Sequence, residues 1–278
     1  MLSLIRRFGI LATLPLLAAC GGSATTTPTV YQAFAGTDAS NSVIGGNGIK
    51  NSQLVTLSGD YQHDSGALTV TDGTYTLTDS DGFDADDVAK DGVSTLRANT
   101  SSFAGTYEFA RPFVQSIKGG ADVFGVLGLE TAASDMPQSI TATYVGEATG
   151  VIDTGSQGFT LSDGTSHIVA NFDIGTVNVT MSDFNIVDVF TEASVTGPID
   201  EISITGMLIS GNTFRNGTIT TRLNGATVDL IGNNAQRNAA GSFLGITSDG
   251  TRPDEVGGAV LLQGDSGLVN GLFVANAQ

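Results

Sequence analysis

The chain has 278 residues, with 28 acidic side chains against 11 basic ones and a net charge of −17. That length suits one large all-β domain or two small ones. The acidity argues against a nucleic-acid partner, because phosphate binding needs clustered Lys and Arg. With one cysteine there is no disulfide to help the core. Gly is abundant at 37 residues and Trp is absent, which favours short strands joined by tight turns.

The N-terminus states an address. Arg6 and Arg7 precede an almost wholly apolar stretch, Phe8 to Ala19, that ends in Leu17-Ala18-Ala19-Cys20. The stretch is too short to span a bilayer as a helix, which needs roughly 20 residues, and it reads as a secretory signal over 1–19 with a small-residue cleavage site. It also resembles the lipobox of bacterial lipoproteins, which implies lipidation of Cys20. Lipidation would remove an otherwise unpaired exported thiol. Loss of the leader leaves 9 basic residues against 28 acidic ones. Residues 20–40 are expected to be a flexible tether, since Gly21 to Thr29 are small and polar apart from Pro28. Gly21 in place of Asp favours the outer over the inner membrane by the sorting rule of many Gram-negative bacteria.

Residues 41–135 read as an irregular β-rich region. Leu54 to Leu57, Ala67 to Val70, Thr74 to Leu77 and Phe103 to Phe109 are candidate strands, with Asp-Gly turn signals at 72–73, 81–82 and 91–92. Asp84 to Leu96 is expected to form a short helix. The acidic run Asp79-Ser80-Asp81-Gly82-Phe83-Asp84 offers hard oxygens for weak Ca²⁺ binding through Asp79, Asp81 and Asp84. The EF-hand register fails there, because Gly82 at position six would put Leu77 first and Val88 twelfth. A solvated acidic turn is the plain alternative.

From residue 136 the pattern tightens. Ile140 to Val145 alternates, and Ile168, Ala170, Phe172 and Ile174 share one strand face. The chain can turn at Asp173 to Thr176. Val177, Val179 and Met181 then face one way and Asn178, Thr180 and Ser182 the other, as in a half-buried antiparallel strand. Further strands fit Phe159 to Leu161, Glu201 to Ile209, Thr213 to Leu223, Ala226 to Ile231, Ser242 to Ile246, Val256 to Leu262 and Leu268 to Ala275. Their spacing suits a sandwich or barrel.

Several segments in the same region carry more than pattern. They are Ala142-Thr143-Tyr144-Val145-Gly146, Gly206 to Phe214, Gly241-Ser242-Phe243-Leu244-Gly245, Glu255-Val256-Gly257-Gly258-Ala259-Val260 and Asn270 to Ala275. Together they resemble the barrel domain of transferrin-binding protein B and its lipoprotein relatives, in which a Gly-x-Phe-x-Gly strand runs into a Glu-x-Gly-Gly turn. The resemblance covers residues 136–278. It implies an all-β chain: a C-terminal eight-stranded antiparallel β-barrel, filled with side chains, behind a smaller β-rich handle, held at the outer membrane. Gly241, Gly245, Gly257 and Gly258 suit bends and close backbone approach. Phe243 is expected to fill the interior, and Glu255 to accept hydrogen bonds from amides of its own turn.

Catalytic patterns are weak. Gly264-Asp265-Ser266-Gly267 looks like a serine-protease nucleophile loop, but the two histidines, His63 and His167, lack that family's context and only a dozen residues follow Ser266. His63 and His167 have no ligand spacing for zinc, and His167 as a haem axial ligand is a remote option. The reading is therefore a lipid-anchored, non-enzymatic surface protein of the outer membrane. It would bind or present a solute or protein, iron- or haem-related, for a membrane receptor. The alternatives are a structural or adhesive envelope lipoprotein without a small ligand, an integral outer-membrane barrel, and a hydrolase.

Overall fold

The computed structural model describes residues 107–110, 125, 126, 128, 130–245 and 251–278 with their side chains. In the N-terminal part it otherwise describes only the backbone of the strands. Those strands are β1 (Val30–Ala39), β2 (Gln53–Val55), β3 (Ser58–Gln62), β4 (Ala67–Thr71), β5 (Thr76–Asp79), β6 (Val88–Lys90), β7 (Ser94–Ala98), β8 (Ala110–Ile117) and β9 (Asp122–Gly128). They make one sheet, ordered β5-β4-β3-β1-β9-β8-β7-β6, with β2 on β1. Two expectations change here. The helix expected over Asp84 to Leu96 is replaced by β6 and β7, which pair antiparallel from Val88↔Arg97 to Lys90↔Thr95. The described residues of that stretch, 88–90 and 94–96, are thus strand and not helix. Regular pairing also begins at Val30, inside the stretch read as tether, where β1 runs antiparallel to β3 and, from Gln32, to β9.

The second sheet holds β10 (Thr141–Asp153), β11 (Gly158–Asn171), β12 (Thr176–Ser182), β13 (Asn185–Asp188), β14 (Glu201–Ser210), β15 (Thr213–Arg215), β16 (Thr218–Leu223), β17 (Ala226–Val228), β18 (Gln236–Leu244), β19 (Glu255–Gln263) and β20 (Leu268–Ala277). The path β12-β11-β10-β20-β19-β18-β15-β14 closes because β12 also pairs with β14, from Thr176↔Leu208 to Ser182↔Glu201. The result is an eight-stranded antiparallel barrel. β13 adds to β11, β16 adds to β14, and β17 adds to β16 at one end.

The expected strand over Thr213 to Leu223 is split into β15 and β16. Asn216 and Gly217, at φ 70° and 88°, bend the chain out of line between them. Ile174 departs from its expected face. Ile168, Ala170 and Phe172 are buried, but β11 ends at Asn171 and Ile174 sits in the turn, 66% exposed. β13 has no counterpart among the expected strands, because four residues are too few to show a period.

An eight-stranded barrel is just wide enough for side chains to fill it. Val177, Val179 and Met181 of β12 point inward as their alternation requires. Phe243 is the hub. Its ring lies 5.1 Å from those of Phe172 and Phe214 and 6.3 Å from that of Tyr144, in the tilted and edge-on arrangements aromatic quadrupoles favour. Phe273 stacks on Phe214 at 6.5 Å. β19 is buried on both faces over nearly its whole length. Its inward residues Val256, Val260 and Leu262 join the barrel core, while the opposite face lies against strands of the first sheet.

Candidate functional site

The barrel has two mouths, and the loops distribute chemistry unequally between them. At the first mouth lie the start of β10, the β11–β12 and β14–β15 turns, and the junction of β18 with β19. At the second lie the β10–β11 turn, the segment from β13 to β14, the segment from β17 to β18, and the β19–β20 turn.

The first mouth is a seam with the first sheet. Glu255 opens β19, opposite Leu244 on one side and Asn276 on the other, and is buried. Its Oε1 accepts the backbone N–H of Glu108 at 2.6 Å. Its Oε2 accepts those of Phe109 at 3.1 Å and Ala110 at 2.7 Å. The carboxylate thus serves amides about 145 residues away, where its own turn was the expectation. The reason is register, since β19 brings Glu255 to the barrel edge where the chain enters β8. Charge-assisted bonds to N–H groups are shorter and stronger than neutral ones.

A second acid repeats the device from the other side. The Oε1 of Glu130 accepts from the Ser242 hydroxyl at 3.1 Å, and its Oε2 accepts from the Asn212 amide at 3.0 Å. Thr131 donates its N–H to the Phe243 carbonyl at 3.0 Å and its hydroxyl to the Gly245 carbonyl at 2.7 Å. The Tyr107 hydroxyl donates to Glu147 at 3.0 Å. Burial first, and the Glu147 and Glu255 charges after it, push the Tyr107 phenol far above its ordinary range.

The two glycine motifs are register partners. Gly241 faces Gly258, Ser242 faces Gly257, Phe243 faces Val256 and Leu244 faces Glu255. A Cβ on Gly241 would strike the Phe214 ring, and one on Gly258 the Phe273 ring and the Ala240 carbonyl. Gly245 has φ 91° and lies against the Phe109 ring, so it combines a left-handed backbone with the seam.

At the second mouth, Ile186, Ile199 and Ile231 are buried and close the barrel end. A short hairpin projects there. The Val187↔Ser194 bridge, the Asp188 N–H on the Ala193 carbonyl and the Val195 N–H on the Ile186 carbonyl hold its legs. Asp188 organises the tip. Its Oδ1 accepts the N–H groups of Phe190 and Thr191, each at 2.9 Å, and the Thr191 hydroxyl at 3.1 Å. The bond from the Thr191 N–H, foremost, lowers the pKa of this carboxyl.

Other candidates are not brought together. His167 lies exposed in β11 between Val145 and Thr180, whereas Ser266 lies in the β19–β20 turn beside Gly232. Cys20, His63, Asp81 and Asp84 lie outside the described residues, and Asp79 is described only as the last backbone position of β5. Among the described residues no group of three or more His, Cys, Asp or Glu could hold a metal. No helix among the described residues is long and apolar enough to cross a membrane, which says nothing of crossing by strands. Sequence reasoning missed Glu130, Thr131 and Asp188; only Asp188, at the end of an apolar pair before Val-Phe-Thr, left a turn signal to find.

Comparison with solved structures decides the architecture. Intact Ap-TbpB (N and C lobes) matches 93% of this chain with a TM-score of 0.56 at 17% identity. The fold is that of transferrin-binding protein B. A variant of this vaccine antigen from Haemophilus parasuis Hp5 matches 88% of the chain at a TM-score of 0.57 and 16% identity. The isotype 1 protein from serogroup B Neisseria meningitidis matches 90% at 0.55 and 17%. The chain spans less than half of each of these structures, 48%, 44% and 44% of their lengths. No protein-family profile and no curated protein matches the sequence. The fold resemblance read from the C-terminal motifs therefore holds at identities too low to carry a ligand with it.

Proposed function

We propose that this chain is an outer-membrane lipoprotein, anchored through Cys20, that binds and presents a ligand at the cell surface without catalysis. The observation that carries the ligand-binding part is the filled barrel. Tyr144, Phe214, Phe243 and Phe273 are fully buried in its interior, so recognition falls to loops and outer faces. Loops on a rigid scaffold are the usual seat of binding. This favours a protein ligand over a solute held inside the barrel. The transferrin-binding name attached to its structural neighbours makes an iron-carrying protein the first candidate.

The outer face bears on the competing barrel reading. Thr143, His167, Asn178 and Thr180 face outward and polar, whereas a membrane-spanning barrel needs a lipid-facing apolar band. A tether that ends before β1 at Val30, a handle from β1 to residue 135 and the barrel over 136–278 complete the proposed organisation.

The test is external protease on intact cells, with a Cys20→Ser control, followed by binding of iron-carrying proteins and of haem to the displayed chain. Loss of the protein from intact cells and retention of one such ligand support the reading. Protection until the outer membrane is breached overturns surface capture and leaves an envelope-structural role facing the periplasm.

A further inference from the structure

We propose that the hairpin tip Val189–Glu192 is a docking knob for a protein partner that offers an apolar socket set in a cationic surface. The inference rests on the binding reading above and gives the partner its chemistry.

Phe190 is 57% exposed, and Val189 and Val195 beside it are 36% and 37% exposed. Among the described residues it is the one aromatic side chain left mostly in water; the rings of Tyr144, Phe214, Phe243 and Phe273 are fully buried. Its exposure is fixed by structure. Asp188 ties down the amides of Phe190 and Thr191, and the Glu192 N–H returns to the Asp188 carbonyl at 2.9 Å with Glu192 at φ 55°. The Val189 N–H is bonded to the Gly158 carbonyl, which pins the tip to the β10–β11 turn. A rigid aromatic on a tied-down turn loses little entropy on docking, and buried aromatic anchors carry much of interface energy.

Charge selects the partner. Asp188 and Glu192 flank Phe190, and Asp183, Asp200, Asp229 and Asp265 are exposed on loops of the same mouth. Of the arginines there, Arg222 pairs with Glu201 and Arg237 with Asp229. No lysine follows Lys118 in the chain. Such a rim repels anionic lipid headgroups and acidic proteins and steers basic ones. The apolar side chains exposed at the first mouth, Ile174 and Leu208, supply an internal control.

The experiment uses the full-length chain freed of its anchor by Cys20→Ser. The probes are cytochrome c and lysozyme as cationic proteins, serum albumin as an acidic one, and phosphatidylglycerol vesicles. At low salt a cationic probe is expected to bind, Phe190→Ser to weaken it ~10-fold, and Ile174→Ser to change it by less than about twofold. Albumin and vesicles are expected not to bind. Equal binding by wild type and Phe190→Ser overturns the proposal, because net charge alone would then suffice. So does failure of both cationic probes, or binding to the vesicles. Surface display is read separately on cells, so a protected, periplasm-facing protein would sink the capture reading while leaving this result standing.

Discussion

The two mouths of the barrel use the same residue type for opposite ends. At the first mouth, Glu255 and Glu130 are turned inward and spent on amides, a hydroxyl and a side-chain amide that join the barrel to the preceding sheet. At the second, Asp188 is spent on its own tip, which leaves Phe190 in water. One mouth converts carboxylates into long-range cohesion and the other converts one into local presentation. Cohesion should therefore be costly to break globally, and presentation cheap.

The comparison breaks hardest at the hub that serves the first mouth. Phe243→Ala removes the ring that contacts Phe172, Phe214 and Tyr144, and should cost ~3–5 kcal/mol in urea unfolding. A cost near that of an exposed residue would mean the interior is loosely filled. Next comes Glu255→Ala, which strands the amides of Glu108, Phe109 and Ala110, the last two in buried residues. About 3 kcal/mol is expected, with faster hydrogen exchange at those three amides. If those amides stay protected, Glu255 is not what joins the two sheets.

Gly245→Ala is a smaller change to the same seam. It meets both a positive φ and the Phe109 ring, and about 2 kcal/mol is expected. The matching test at the second mouth is acid. The Asp188 carboxyl is lowered by its bonds in the folded chain, so its contribution is complete above the ordinary aspartate range. It is lost as pH falls through the lowered value. Exchange at the Phe190 and Thr191 amides should quicken there while the barrel amides stay protected, and Asp188→Ala should show the quickening already at neutral pH. The smallest effect is Phe190→Ser, within about 0.5 kcal/mol of wild type by thermal unfolding, because the ring packs on little. A large loss would mean that the knob is part of the core.

Legibility followed period and length. β12 could be read residue by residue, since its alternation is strict and one face is buried. β19 and β20 could be read as strands from their apolar runs, but their burial on both faces could not, since it depends on the sheet lying outside them. β10 reads only as far as Val145, although the strand continues to Asp153, because Gly146, Glu147 and the bulge between Ala148 and Gly150 interrupt the pattern. The helix expected near Asp84 was a weak period set against a strong turn signal. Glu255 is expected to serve amides of its own turn and serves those of Glu108, Phe109 and Ala110 instead, because a carboxylate beside glycines advertises its chemistry and not its partner.

By itself, the sequence determined the all-β class, the strands that alternate strictly and the glycine motifs, each a local pattern of side-chain alternation or missing Cβ atoms; the barrel and the inward place of Phe243 were what the resemblance implied. Only the tertiary structure decided that Glu255 reaches amides about 145 residues away, that Glu130 and Thr131 belong to the same seam, and that Phe190 alone among the described aromatic rings stands mostly in water. Those facts depend on strand register and on which surfaces cover one another, and both are set by contacts between segments far apart in the chain.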